Sequence, residues 1–223
     1  MDWGIIDIFS LIGTIAFAVS GAIVAMEEEY DILGVYVLGL VTAFGGGIIR
    51  NFLIGIPATT LWEQELQLTC ALVAMTLIFL IPAKWILLWK TWGDKFFDAI
   101  GLSAFAIQGA NYATGMGHPL SATIVAAMLT GIGGGMIRDL LAGRKPLVLR
   151  EEIYAVWAIL AGIAVWYGWA KSTVGMLILF VSIVALRMLS VIKNWRLPRR
   201  SLKTDSYTMK AGDRTDERFR GNS

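Results

Sequence analysis

The sequence predicts an all-α integral membrane protein of seven transmembrane helices: two inverted three-helix repeats followed by a seventh helix. Three observations predict this fold. The 223 residues are 57% hydrophobic and 16% charged, with a mean hydropathy of +0.66, a composition suited to lipid rather than water. Seven apolar segments approach the length of about 20 residues that a helix needs to cross a bilayer. A shift of 88 residues lays the first half of the chain on the second.

The seven segments divide the chain into one membrane domain and a tail. The predicted spans are about 5–25, 32–54, 66–83, 97–114, 119–141, 153–170 and 173–192. Short loops join the spans, so we expect residues 1–193 to form one transmembrane bundle. Repeat one then covers about 5–83, repeat two about 97–170, and the seventh helix about 173–192. Residues 194–223 are polar and form a basic tail, which we expect to be partly disordered.

The internal repeat is defined by small residues, a phenylalanine and an arginine at constant spacing. In the first block, Gly13, Ala16, Phe17, Ala18 and Gly21 recur as Gly101, Ala104, Phe105, Ala106 and Gly109. In the second block, Gly45, Gly46, Gly47 and Arg50 recur as Gly133, Gly134, Gly135 and Arg138. Three spans per repeat force the second copy to enter the membrane from the opposite side. Such inverted repeats are typical of secondary transporters, and the same architecture can form a pore.

Lysine and arginine in the short loops predict the orientation. The loops at 26–31, 84–96 and 142–152 share one side with the tail and hold nearly all loop cations, whereas Lys171 is the only cation of the other side. The N-terminus should therefore be outside and the C-terminus in the cytoplasm. The economy of the chain is typical of bacterial proteins, so we expect a plasma membrane. The basic flank at Lys193–Lys203 sets this topology, and binding of anionic lipid headgroups is a further interpretation.

The glycine triplets, residues 45–47 and 133–135, lie inside spans two and five. Each glycine costs a helix roughly 1 kcal/mol relative to alanine, so three in a row predict a bend or an opened turn. Carbonyls freed at such a turn survive in a membrane only inside protein or against water, where they suit a cation. We therefore predict that both triplets line an ion pathway. Close helix packing through small residues is the alternative.

An arginine follows each triplet by three residues and so lies on the glycine face of its helix. A charge near the bilayer centre is costly, which favours a polar or gating role for Arg50 and Arg138, with snorkelling to the membrane surface as the alternative. The inversion predicts Arg50 in the outer half of the membrane and Arg138 in the inner half.

Asp139 follows Arg138, whereas Asn51 follows Arg50. Neighbouring positions on a helix do not face each other, so we expect Asp139 to pair with another span. Asp7 and Asp98, at the starts of spans one and four, are the candidate partners for charge pairing.

Three further polar positions lie in or beside the spans. Gln108 and Asn111 are three residues apart on span four, and Ser20 takes the place of Gln108 in repeat one. We expect interhelical hydrogen bonds there, with pore lining as the alternative. His118 precedes Pro119 and is interpreted as a helix-entry residue rather than a pH sensor. No nucleophile–base pair, phosphate loop or metal-ligand spacing occurs, so we expect neither an enzyme nor a bound metal or cofactor.

At the two arginine motifs the chain resembles the prokaryotic branch of the TRIC family, the trimeric intracellular cation channels. The shared pattern is Gly-Gly-Gly-x-x-Arg-(Asn/Asp)-x-Leu-x-Gly, at 45–55 and again at 133–143, and the resemblance extends over about residues 5–193. It implies a homotrimer with one pore through each protomer, formed by spans two and five bent at their glycines. It also implies passive permeation of monovalent cations, mainly K⁺. Asn51 departs from the fuller pattern, which has an aspartate.

The leading hypothesis is a membrane channel for K⁺ or Na⁺ that is gated at the glycine triplets. The alternative is a carrier for a small neutral amino acid such as glycine, since some relatives of this branch are described as glycine transporters. A structural membrane protein without flux is the third class. The expected partners are the lipid bilayer and two further copies of the chain, and no nucleic acid is expected.

Overall fold

Residues 4–82, 84–85, 92–150 and 153–195 are described by a computed structural model, and all their regular structure is helical. The α-helices are α1 (Ile5–Glu27), α2 (Ile32–Ile54), α3 (Glu65–Leu80), α4 (Gly93–Gly115), α5 (Leu120–Leu141), α6 (Leu147–Arg150), α7 (Tyr154–Trp166) and α8 (Thr173–Ile192). A 3₁₀-helix, Ala58–Glu63, joins α2 to α3. The predicted tail lies outside the described residues from position 196 onward.

Each predicted span coincides with one of the longer helices, and the differences at the ends have local causes. Span three ends at Leu80 because Ile81 is extended ahead of Pro82, as a residue before proline prefers. Span six ends at Trp166, shortly before Gly168 takes a left-handed φ of 75°. The four-residue α6 was not predicted, because so short a helix has no apolar period to detect.

Hydropathy separates the helices into two groups within the described part of the chain. The helices α1, α2, α5 and α8 have 20 to 23 residues and are long and apolar enough to cross a membrane. The helices α3 and α7 are equally apolar but shorter, at 16 and 13 residues. The helix α4 has 23 residues but includes Asp94, Lys95 and Asp98. The protein is therefore an all-helical membrane protein.

The two ends of the bundle are distinguished by contacts between loops. The Tyr30 hydroxyl, just before α2, donates to the carbonyl of Leu141 at the end of α5 over 2.9 Å. At the opposite end, His118 Nε2 lies 3.4 Å from the carbonyl of Ile54, the last residue of α2. The helices α2 and α5 are therefore antiparallel. We call the end with Tyr30 and Leu141 the Arg138 end, and the end with His118 and Ile54 the Arg50 end.

The recurring glycine and phenylalanine residues pack α1 against α4 by a reciprocal exchange. A Cβ on Gly13 would lie 2.6 Å from the Phe105 ring, and a Cβ on Gly101 would collide with the Phe17 ring. The two rings also contact each other edge to face, with centroids 5.2 Å apart. Each repeat thus supplies a phenylalanine that fills the space above the other repeat's glycine, which explains why both residue types recur 88 positions apart.

Within each repeat, the last glycine of the first block packs against a threonine of the following helix. A Cβ on Gly21 would lie 2.7 Å from Thr42 Oγ1, and a Cβ on Gly109 would collide with Thr130 Oγ1. Both threonine hydroxyls donate to carbonyls of their own helix over 2.6 Å, Thr42 to Leu38 and Thr130 to Ala126. The four central helices therefore pack through small residues, with α3 on one flank and α7 and α8 on the other.

Candidate functional site at the crossing of α2 and α5

The glycine triplets form the point at which α2 and α5 cross. A Cβ on Gly46 would lie 2.8 Å from the carbonyl oxygens of Leu129 and Thr130, and a Cβ on Gly134 would collide with the carbonyl of Thr42. Only glycine permits this approach of two backbones. The same pairs recur in reverse, Gly46 with Thr130 and Gly134 with Thr42, as expected of two antiparallel copies of one sequence.

Both helices run through their triplets without interruption. Neither Gly45–Gly47 nor Gly133–Gly135 therefore forms an opened turn, while the other expectation, a bend at the glycines, stays a prediction. Three glycines weaken an isolated helix, but here the missing side chains let the partner helix approach closely. The close packing holds the regular backbone in place.

The third glycine of each triplet faces the arginine that follows it. Outside its own helix backbone, the only described atom within 4 Å of a Cβ on Gly47 would be Arg50 Nη2, at 4.0 Å. A Cβ on Gly135 would lie 3.7 Å from Arg138 Nη2 and 3.2 Å from Asp98 Oδ1. The prediction that each arginine shares a face with its glycines is confirmed. Because α2 and α5 are antiparallel, the two arginines lie on opposite sides of the crossing.

Arg138 is 2% exposed and is held by two carboxylates and a hydroxyl. Its Nη1 donates to Asp98 Oδ1 over 3.0 Å and to Ser20 Oγ over 2.6 Å. Its Nε donates over 2.9 Å to Asp139 Oδ1, while Asp139 Oδ2 accepts the backbone N–H of Leu147 at 2.9 Å. Asp98 is 0% and Asp139 4% exposed. We call these residues the Arg138 site.

This arrangement decides two predictions about charge pairing. Asp98 is a partner of Arg138, as predicted, and Asp139 also pairs with its immediate neighbour, with Nη2 at 2.8 Å from Oδ1. The expectation that Asp139 pairs with another span instead of Arg138 is wrong, because the long arginine side chain folds back beside its own helix. Asp7 belongs to neither site, since its Oδ2 accepts the N–H of Gly4 at the start of α1.

Two residues that sequence reasoning missed extend the Arg138 site. The Tyr154 ring lies 4.5 Å below the guanidinium of Arg187, and these side chains are 1% exposed. The Tyr154 hydroxyl and Asp98 Oδ2 have no hydrogen-bond partner among the described residues. The signal was present in the sequence, because an arginine inside the otherwise apolar span of α8 is expensive in lipid.

Arg50 is equally buried, at 4% exposure, but no carboxylate from the described residues holds it. Its Nε and Nη2 both donate to Asn51 Oδ1, over 3.0 and 2.6 Å, and its guanidinium lies 4.4 Å above the Tyr112 ring. Asn51 Nδ2 in turn donates to Thr60 Oγ1 over 3.1 Å. Arg50 Nη1 is buried without a hydrogen-bond partner among the described residues.

Arg50 lines a small polar cavity on its side of the crossing, which we call the Arg50 cavity. The cavity volume is about 20 Å³, enough for one water molecule or a small ion. Its polar lining comes from Ser10, Thr14, Arg50, Asn51, Gln64, Gln108 and Thr130. Gly47 also lines it, in keeping with the open space beside that glycine. Phe44 and Phe105 are among its apolar walls.

The two arginine sites are built from the same positions of the repeat. The pairs related by 88 residues are Arg138 and Arg50, Asp139 and Asn51, Asp98 and Ser10, and Ser20 and Gln108. Both acids of the Arg138 site are thus replaced by neutral polar groups at the Arg50 site. The Arg138 site is internally neutralised, whereas the described residues that line the Arg50 cavity include one cation and no anion.

The remaining predicted polar residues divide between these sites and local roles. Ser20 belongs to the Arg138 site and Gln108 to the Arg50 cavity. Asn111 Nδ2 only donates to the carbonyl of Ile107 in its own helix, over 2.8 Å. At the Arg138 end, Arg144 binds Glu27 and Glu28 over 2.9 and 2.5 Å and so joins the loop after α5 to the end of α1.

Comparison with known proteins gives the family. A family model described as glycine transporter matches residues 7–83 and 95–170, which is more than half of the chain. The UPF0126 membrane protein YvgT of Bacillus subtilis (strain 168) is 62% identical over 206 residues, covering 92% of this chain and 100% of its own length. The UPF0126 inner membrane protein YadS of Escherichia coli (strain K12) is 38% identical over 154 residues, covering 69% and 73%. The chain therefore belongs to the family that this model describes, which is matched over residues 7–83 and 95–170.

Solved structures confirm the resemblance to prokaryotic TRIC proteins. A structure solved in a study of conductance through TRIC cation channels matches with a TM-score of 0.76 and 36% identity, covering 89% of this chain and 98% of the other. The TRIC orthologue from Rhodobacter sphaeroides matches with a TM-score of 0.75 and 30% identity, covering 85% and 98%. A TRIC channel from C. elegans, 15% identical, shares the fold at a TM-score of 0.57.

The two segments of the family match agree closely with the two sequence repeats. The signature of the TRIC resemblance, a glycine triplet followed by an arginine, therefore marks one three-dimensional feature twice. The triplet makes the helix crossing, and the arginine places a cation on one side of it.

Proposed function

We propose that this protein is a membrane channel that lets K⁺ or Na⁺ diffuse through each protomer between α2 and α5. The observation that supports it is a line of buried polar groups inside an apolar bundle. The Arg50 cavity and the Arg138 site lie on opposite sides of the glycine crossing, and buried charges inside a membrane bundle are typical of ion pathways. The solved TRIC relatives are described as cation channels.

The proposal includes seven spanning helices arranged as two inverted repeats and a seventh helix. The antiparallel packing of α2 on α5 and the reciprocal packing of α1 on α4 support the inversion. The loop cations assign the Arg138 end to the cytoplasm, with the N-terminus outside. The homotrimer is proposed because the similar orthologue from Rhodobacter sphaeroides is described as trimeric. Lipid-facing and subunit-facing surfaces are available on α8, where Val174, Ile178 and Val181 are exposed.

The crossing is the proposed gate. In the described conformation Gly46 and Gly134 are packed against backbone atoms, and the Phe17 ring lies beside Gly134. A cation can pass from the Arg50 cavity to the Arg138 site only when α2 and α5 separate or rotate. The glycines suit this motion because no side chains interlock at the contact.

The alternative function is a carrier for glycine, which is what the description of the matching family model names. Similarity to solved TRIC cation channels supports the channel instead. The same crossing would then close around an amino acid, and Arg50 would attract its carboxylate. A channel passes K⁺ with no other solute present, whereas a carrier moves glycine. Flux measurements on one proteoliposome preparation can therefore distinguish the two functions.

In proteoliposomes loaded with K⁺, we expect the purified protein to dissipate a K⁺ gradient with no solute added, and to give unitary currents in planar bilayers. Radiolabelled glycine should not accumulate or exchange faster than in protein-free liposomes. Saturable glycine exchange without K⁺ current would support the carrier instead. Absence of both fluxes in correctly folded protein would contradict transport altogether.

A further inference from the structure

We propose that the Arg50 cavity is a binding site for a small monovalent anion, which takes the place that Asp98 and Asp139 occupy at the repeat-related Arg138 site. The inference rests on the geometry of the two sites. The proposed cation path runs through the same cavity, but anion binding is tested by thermal stability, without any measurement of flux.

The first observation is that Arg50 is buried with incomplete pairing. The side chain is 4% exposed, and its Nη1 has no hydrogen-bond partner in the part of the chain that the structure describes. Its other two nitrogens share a single neutral oxygen, Asn51 Oδ1. An unbalanced guanidinium in an apolar bundle carries a large desolvation cost, which an anion would offset.

The second observation is the internal comparison that the repeat provides. At the Arg138 site the chain supplies its own anions, and the Arg138 guanidinium forms ion pairs with Asp98 and Asp139 at 2.8 to 3.0 Å. At the Arg50 site the corresponding residues are Ser10 and Asn51, so both carboxylates are absent while the arginine and the small-residue crossing remain.

The third observation is that the cavity can hold and solvate such an ion. Its volume is about 20 Å³, which is room for one guest of about the size of a water molecule. Besides Arg50, its lining offers hydroxyls of Ser10 and Thr14 and the amide of Gln108, all groups that donate hydrogen bonds to anions. These three residues are 1 to 6% exposed, so the ion would bind out of bulk water.

Two kinds of small anion suit a site beside a guanidinium: a halide, or the carboxylate of a small solute such as glycine. The cavity volume favours the halide in the described conformation, because a whole amino acid needs more space. A carboxylate would enter only if the cavity widens.

The test is the thermal unfolding of the full-length protein in detergent. Sodium gluconate is exchanged for sodium chloride or sodium acetate at constant ionic strength, or neutral glycine is added to the gluconate buffer. Chloride at about five times its dissociation constant should raise Tm saturably, by about 2–4 °C. A rise with acetate and glycine but not with chloride would assign the carboxylate source. If none of the three raises Tm above its value in gluconate, the cavity holds only water and the proposal is overturned.

The deciding variant is Asn51→Asp, which supplies Arg50 with a carboxylate as at the Arg138 site. Asn51 Oδ1 already accepts both hydrogen bonds, so the geometry is retained. We expect its Tm in gluconate to equal or exceed that of the wild type, and the rise with anion to disappear. Arg144→Gln, which removes an arginine that already has two carboxylates, is the control and should keep the full rise. An anion effect that persists in Asn51→Asp would overturn the proposal.

Discussion

Replacing Arg138 with glutamine is expected to lower the free energy of unfolding by about 3–5 kcal/mol, because it leaves two buried carboxylates without their cation. Asp98 and Asp139 are 0% and 4% exposed, so water cannot replace the guanidinium. Thermal unfolding in detergent should show the loss as a Tm decrease of about 10 °C.

The matched control is Arg50→Gln, the same substitution at the position 88 residues earlier. Arg50 holds no carboxylate, so its removal leaves no uncompensated charge, and we expect less than half of the decrease seen for Arg138→Gln. Adding Asp98→Asn to Arg138→Gln should recover part of the loss, since it removes one of the two orphaned charges. Equal decreases for Arg138→Gln and Arg50→Gln would show that charge pairing does not distinguish the two sites.

Replacing Gly134 with alanine is the second change with a large expected effect. Its Cβ would collide with the backbone carbonyl of Thr42, which cannot move without displacing α2. We expect destabilisation by about 1–3 kcal/mol or more, from forced separation of the two helices. The measurement is again the Tm of the purified protein, together with its elution volume as a check of assembly.

The control for this change is Gly47→Ala, which is the same substitution in the other triplet. A Cβ there meets nothing closer than Arg50 Nη2 at 4.0 Å, and alanine is the better helix former by roughly 1 kcal/mol. The stability of Gly47→Ala should therefore be unchanged or raised. If both variants lose stability equally, the crossing is not the close backbone contact described above.

The sequence contains enough information for the helices and the repeat, because both depend on local patterns. Hydropathy over about 20 residues predicts the spans, and constant spacing relates Gly13 to Gly101 and Arg50 to Arg138. The contacts of Arg138 could be predicted only in part. Asp98 was a candidate because it is a carboxylate inside a span, but the fold-back onto Asp139 depends on side-chain rotamers and on the N–H of Leu147, which comes from a different element.

The role of the glycine triplets could not be decided from propensity alone. A propensity scale measures the cost of Gly46 in an isolated helix, whereas the bundle places Thr130 and Leu129 backbone atoms directly against it. The asymmetry of the two arginine sites could not be predicted from local sequence either. It depends on the tertiary contact that places Ser10, the position equivalent to Asp98, in the lining of the Arg50 cavity. Tertiary contacts, rather than local sequence, determine both features.

The central claim is that cations pass along the Arg50 cavity, and modification of a cysteine placed there tests it most directly. Cys70 is the only cysteine of the chain, so Cys70→Ala gives a background free of thiols. Gly47→Cys in that background puts a thiol in the cavity, where there is open space. Glu63→Cys, exposed on the 3₁₀-helix at the same end, is the control.

A positively charged, membrane-impermeant methanethiosulfonate reagent applied to the Arg50 end should block the K⁺ current of Gly47→Cys and leave that of Glu63→Cys unchanged. Unaltered current after complete modification of Gly47→Cys, established by mass spectrometry, would contradict the proposed path.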